Sequence, residues 1–262
     1  MSGAPPPAAS RAPLPASPGP LALLHTSPAH IPVFDALRDE DHPGLDLRHF
    51  VAEDLLARAR REGPDAVADD VRALLGEAVA DGARAVLCTC STIGAVAERT
   101  DAGVPVLRVD RPMAAAAVAA GPLVVVLATV ASTLEPTVAL VEEEARRAGR
   151  RVEVRTVLVD GAFALFEAGD TDGCARAVAD AADAVTDADA IVLAQASMTP
   201  AQTLTTTAIP VLSSPRPGLA AAASAAECPP RPGWNRHRRP RLAPGPSPPA
   251  LSDRHRRTPR CP

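Results

Sequence analysis

The 262-residue chain has no tyrosine and no lysine; aromatic residues make up 2% of it and all 27 basic residues are arginine. This bias reads as GC-rich coding and carries no function by itself. No apolar run reaches the ~18 residues of a membrane span. The opening MSGAPPPAASRAPLPASPGP lacks the apolar core of a secretory signal, so a soluble, cytoplasmic protein is expected. No G-x-G-x-x-G follows the first apolar run and no G-x-x-x-x-G-K-[ST] occurs anywhere, which removes the phosphate cradles of dinucleotide and P-loop enzymes. CSTIG is not the G-x-S-x-G turn of a serine hydrolase. Five cysteines, at 88, 90, 174, 228 and 261, form no C-x-x-C pair, so neither structural zinc nor a disulfide framework is expected. His25, His30, His42 and His49 fit no common zinc spacing either; His25 or His49, each near a strand end, could assist proton transfer.

Charge is unevenly spread. The net −4 divides into about +7 on residues 224–262, which carry nine arginines against Glu227 and Asp253, and about −11 on the rest. An acidic body does not suit nucleic acid, which needs a basic stripe on a folded face. Seven prolines in 1–20 and ten in 224–262 leave neither end able to form a helix or central strand, so both are expected to be disordered. The tail also has the look of GC-rich sequence read out of frame.

Between these ends, β-branched and Leu-rich runs alternate with Ala-rich helical stretches, the pattern of βαβ units around parallel sheets. Eight strands are expected, four in 21–121 and four in 122–223: LALLHT, LDLRHFV, AVLCT and VPVLRVD, then LVVVLAT, VEVRTVLV, AIVLAQ and IPVLSS. The halves echo each other. Thr26 answers Thr129, LDLR at 45 answers VEVR at 152, and VPVLRVDRP at 104 answers IPVLSSPRP at 209, with offsets of 103 to 107 residues. An ordered set of matches at nearly constant offset indicates a duplication. The expected fold is α/β, with two pseudo-symmetric lobes, each a four-stranded parallel sheet flanked by helices, and an active site in the cleft between them.

On this register Cys90 of VLCTCST stands opposite Ala196 of VLAQASM, and Ser91 opposite Ser197. Cys88 and Cys174 read as core. Cys90, at a strand end before a helix beginning near Thr92, would meet helix N-terminal amides, which favour a thiolate. Thr26, Ser27, Ser91, Thr92, Thr129, Ser132, Thr133 and Ser197 gather at strand ends and helix starts. Each could be a cap; as a group they suit a carboxylate held without Lys or Arg. Ser132 with Glu135 makes a capping-box pattern and reads as structural.

A doubled lobe with LHTSP after the first strand, CST at 90–92, LATVAST at 127–133 and LAQASM at the second strand end resembles the aspartate/glutamate racemase superfamily, over residues 21–223. That superfamily includes hydantoin racemases, maleate isomerases and arylmalonate decarboxylases. The resemblance implies cofactor-independent chemistry at the carbon next to a carboxylate, with Cys90 catalytic and a small carboxylate as ligand; a homodimer is compatible with it. It also implies a second thiol where this chain has Ala196. Single-thiol chemistry then stays open as racemization with another base, decarboxylation or double-bond isomerisation. A binding protein for small acids, or an inactive remnant, is the non-catalytic alternative.

Overall fold

Uninterrupted apolar runs become the middle strands of two parallel sheets. The computed structural model describes residues 19–227. In chain order the first half holds β1 (Leu21–His25), α1 (Ile31–Asp41), β2 (Leu47–Val51), α2 (Glu53–Glu62), α3 (Ala68–Ala80), β3 (Ala85–Cys88), α4 (Ser91–Arg99), β4 (Val106–Arg108) and α5 (Arg111–Ala120). The second holds β5 (Leu123–Ala128), α6 (Leu134–Arg147), β6 (Glu153–Leu158), α7 (Ala162–Glu167), α8 (Thr171–Asp183), β7 (Ala190–Leu193), β8 (Val211–Leu212) and α9 (Pro215–Glu227).

The sheets share one topology: β2-β1-β3-β4 and β6-β5-β7-β8, every pairing parallel. Strands β1, β3 and β7 are buried along their whole length and β5 along all but its first residue, because helices cover both faces of such a sheet. The eight strands match those expected, in order and number. The two Pro-rich ends lie outside the described residues, as do Cys228 and Cys261.

Across the 121/122 boundary the two halves exchange their last helices. Met113, Ala114, Ala117 and Val118 of α5, which follows the first sheet, pack with Val124, Val126, Ala190 and Val192 of the second. Reciprocally, Leu219, Ala222, Ala223 and Ala226 of α9 pack with Leu21, Leu23, Ala85, Leu87 and Phe34 of the first half. A parallel sheet needs cover on both faces, and here each sheet takes one cover from the other half. The described residues accordingly fall within one compact unit. Helix α9 also runs to Glu227, four residues into the segment expected to be disordered from 224, because Ala226 is part of its buried stripe. Its approach is close: a Cβ on Gly218 would stand 2.5 Å from the Val109 carbonyl oxygen, so only glycine fits without displacing backbone.

A further tie crosses the halves at Arg111, which bonds Glu98 on α4 at 2.6 Å and also Glu143 and Glu144 on α6. Among the described residues no helix is long and apolar enough to cross a membrane.

Candidate active site

The carboxyl ends of β1 and β3 in one half, and that of β7 with the turn after β5 in the other, open onto a shared cavity of about 500 Å³. It is lined from the first half by Thr26, Ser27, His30, Thr89, Cys90, Ser91 and Thr92. From the second half come Thr133, Gln195, Ala196 and Ser197. The Ser91 hydroxyl, at the head of α4, donates to the Ala194 carbonyl at the end of β7, 3.0 Å away, joining the two strand ends directly.

Cys90 is the N-cap of α4, with extended backbone (φ −109°, ψ 118°). It is only 7% exposed and touches the apolar cluster around Ile93 and Val96, yet it also forms part of the cavity wall. The residue is therefore largely shielded from bulk water while bordering the cavity. Cys88 shares that apolar cluster but does not line the cavity: it is fully buried, its Sγ lies 3.7 Å from the Cys90 carbonyl oxygen, and burial, followed by the neighbouring Cys90, pushes its thiol far above the ordinary range. Cys174 is buried on α8, and burial, then Asp170, raises its thiol as well. These two are unsuited to act as thiolates.

Of the hydroxyls singled out in the sequence, Thr26, Ser27, Ser91, Thr92, Thr133 and Ser197 line the cavity; Thr129 does not. The Thr129 amide and hydroxyl both bond the Gln195 side chain, at 2.7 and 2.9 to 3.1 Å, which occupies them within the second lobe. Ser27 is partly a cap, accepting from the Ala29 amide at 3.4 Å, and Thr133 donates to the Val130 carbonyl at 2.7 Å. Thr92 differs: the residue lines the cavity, and its hydroxyl is buried without a partner among the described residues. The capping box at Ser132 does not form. A 3-10 turn over Ala131–Thr133 delays the helix by one residue, so Thr133 is the N-cap of α6, without a side-chain cap bond, and the Ser132 hydroxyl is left buried and unpartnered.

The cavity has walls that the sequence reading missed. Glu53, Leu56, Ala57 and Arg60 line it from α2, and Phe163, Phe166 and Glu167 from α7. The first set is spaced i, i+3, i+4, i+7 and the second i, i+3, i+4, so each is one helix face. The two phenyl rings stack, with centroids 6.3 Å apart and planes inclined by 20°. Arg60 adds a cation to a cavity whose hydroxyls were expected to hold a carboxylate without needing one, and among the described residues it has no ion-pair partner.

Behind the wall runs a chain of hydrogen bonds. Thr89 donates its single hydroxyl proton to the Leu24 carbonyl at 3.2 Å, so the contact to His25 Nδ1 at 2.8 Å requires His25 Nδ1–H as donor. His25 Nε2 then accepts from His49 Nδ1 at 2.9 Å, and His49 Nε2 lies 3.4 Å from Asp35 Oδ1. Burial, then the neighbouring His49 and His30, lowers His25 to about 3, so it is neutral across the physiological range. Its unfolded form takes a proton near 6.5 while the folded form refuses it, so acid draws the chain towards the unfolded state. Stability from this group is complete above about 6.5 and is lost as pH falls towards about 3. Urea unfolding of His25→Asn should show a shallower loss of stability across that window than the unaltered protein; equal slopes would mean that His25 is not held neutral.

Among the described residues no group of three His, Cys, Asp or Glu side chains is placed to hold a metal. The Asp/Glu/Hydantoin racemase family model matches residues 23–225. No curated protein matches the chain in a sequence search. Solved structures share its fold. The aspartate racemase of Picrophilus torridus is 16% identical, with 82% of this chain and 98% of that one covered at a TM-score of 0.59. A mutant arylmalonate decarboxylase is 22% identical, with 82% and 97% covered and a TM-score of 0.55. The glutamate racemase of Francisella tularensis, solved with D-glutamate, is 12% identical, with 79% and 81% covered and a TM-score of 0.58. Two like-ordered four-stranded parallel sheets and a family match spanning most of the described residues establish that this chain belongs to the Asp/Glu/hydantoin racemase family.

Proposed function

We propose that the protein is a cofactor-independent isomerase-type enzyme that moves a proton at the carbon next to the carboxylate of a small acid, with Cys90 as acid and base. The observation that carries this is Cys90 at the head of α4, on the wall of a cavity lined by both halves. A carbon acid of this kind is weak, so the enediolate formed on proton loss needs electrostatic support. The Thr92 hydroxyl and the Arg60 guanidinium, neither with a side-chain partner among the described residues, are suited to the carboxylate.

Substrate choice follows from the walls. Phe163, Phe166, Leu56 and Ala57 offer apolar surface, and the single cation Arg60 is outnumbered by Glu53 and Glu167. A monocarboxylate with an apolar side group is matched by this lining; a second carboxylate would meet like charge. Ala196 cannot exchange a proton, so the two-thiol scheme is not available. The same asymmetry favours, as a second reading, decarboxylation in which one thiol protonates the carbanion left by loss of carbon dioxide.

Iodoacetamide labelling mapped by mass spectrometry tests the site. Cys90 should be labelled ahead of Cys88 and Cys174, and 2-phenylpropionate should slow its labelling specifically. Labelling of Cys90 no faster than Cys88, or no protection by this or any other small acid, would contradict the reading.

A further inference from the structure

His30 closes the 3-10 turn Pro28–His30 that follows β1, and it lines the same cavity as Cys90. Its Nδ1 is buried with no partner, and among the described residues neither ring nitrogen makes a hydrogen bond. A buried polar atom left unpaired costs about 1–3 kcal/mol, and a functional site is one place where that cost persists. His25 and His49, by contrast, have their ring nitrogens engaged in the chain from Thr89 to Asp35.

We propose that His30 is the second acid/base group of the cavity, exchanging protons with the carbon next to the bound carboxylate where the second lobe offers only Ala196. This rests on the reading of Cys90 given above. Burial keeps the His30 imidazole neutral at neutral pH, so one nitrogen carries a lone pair able to take a proton. The neutral imidazole removes the α-hydrogen as a proton: the C–H bond breaks, its electron pair passes into the carboxylate as an enediolate, and imidazolium forms. The Cys90 thiol then gives its proton to that carbon and becomes thiolate. The imidazolium proton returns to sulfur through water in the open cavity, which restores both groups with no net consumption of acid or base.

The other ionisable groups on this wall are less suited. Glu53 and Glu167, on α2 and α7, and Arg60, on α2, are exposed, and a base bathed in water is not held against one carbon. His25 lies beside His30 with ring centroids 6.2 Å apart, but it is spent on Thr89 and His49. The groups that bear on any titration of His30 are therefore His25 on β1, His49 on β2, Glu53 and Arg60 on α2, Cys90 at α4 and Glu167 on α7.

The test uses enantiopure alanine, phenylalanine, aspartate and 2-phenylpropionate in deuterium oxide, reading α-hydrogen exchange by proton NMR. For whichever acid exchanges fastest, His30→Gln should lose about 100-fold or more in kcat, and the acid-side limb of its kcat/KM profile should vanish. Free imidazole should restore activity to His30→Ala, which a merely structural role would not allow. His30→Gln within about three-fold of the unaltered enzyme, with the acid limb intact, overturns the His30 role and leaves Cys90 standing. No exchange by the unaltered protein removes both; inversion of configuration that is indifferent to Cys90→Ala removes the Cys90 reading and with it this one, because inversion needs both groups while exchange on one face needs only His30. Should the variants fail to fold, NMR of the His30 imidazole in the full chain decides: a neutral ring at neutral pH whose signal moves on adding the acid supports the role, and a ring already protonated there overturns it.

Discussion

Cys90→Ala should lower the rate of inversion at the α-carbon by about 10²- to 10⁴-fold, the usual contribution of a positioned proton-transfer group. The loss should fall on kcat, because the carboxylate contacts offered by Thr92 and Arg60 remain in place and only the group that acts in the transition state has gone. Cys90→Ser should be nearly as slow, since a hydroxyl does not ionise near neutrality. Folding should survive both changes: the side chain is small and the residue borders the cavity. A Cys90→Ala enzyme that kept its rate would place the chemistry elsewhere.

The largest effect on stability is expected at Asp110. Arg108 and Asp110 form a buried bidentate pair at 2.6 and 2.8 Å, with side chains 4% and 1% exposed. The pair sits between β4 and the start of α5, against α4, where a Cβ on Gly94 would come within 3.2 Å of the Arg108 side chain. Asp110→Ala strands a guanidinium away from water and should cost about 3–5 kcal/mol, read as a shift in the urea midpoint. Replacing both at once, as Arg108→Met with Asp110→Leu, should cost less than the single change, because no uncompensated charge is left behind. A single variant within about 1 kcal/mol of the unaltered protein would mean that water reaches the pair. Since the pair underlies the helix that carries Cys90, Asp110→Ala should also slow exchange.

What could be read in the sequence was whatever rests on local pattern. Runs such as LALLH and LVVVLA are apolar on both faces, as a doubly covered parallel strand requires, and they marked the succession of strands along the chain and the duplication together; the order of strands within each sheet was not legible. Cys90 could be placed at a strand end because apolar residues stop there. Partner choice was not legible. Helices α5 and α9 are Ala-rich on every side, so nothing in RPMAAAAVAA or PRPGLAAAASAAE says which sheet they cover; only the closed structure shows that they cross. Thr129 has the same local pattern as Thr26, yet a glutamine 66 residues away takes its hydroxyl. Ser132 satisfies the capping-box spacing, but a 3-10 turn moves the helix start beyond it. Arg60 and the Phe163–Phe166 pair reach the cavity through helix packing alone. The helical spacing of 53, 56, 57 and 60 was present in the sequence, but a mixed stripe of Glu, Leu, Ala and Arg does not announce a ligand wall.

The most direct measurement is deuterium incorporation with inversion at the α-carbon of small carboxylic acids, followed side by side for the unaltered protein and Cys90→Ala. Inversion that favours an acid with an apolar side group and disappears with the thiol is the expected result. Absence of exchange in the unaltered protein for every acid tried, or an undiminished rate of inversion without the Cys90 sulfur, would contradict it.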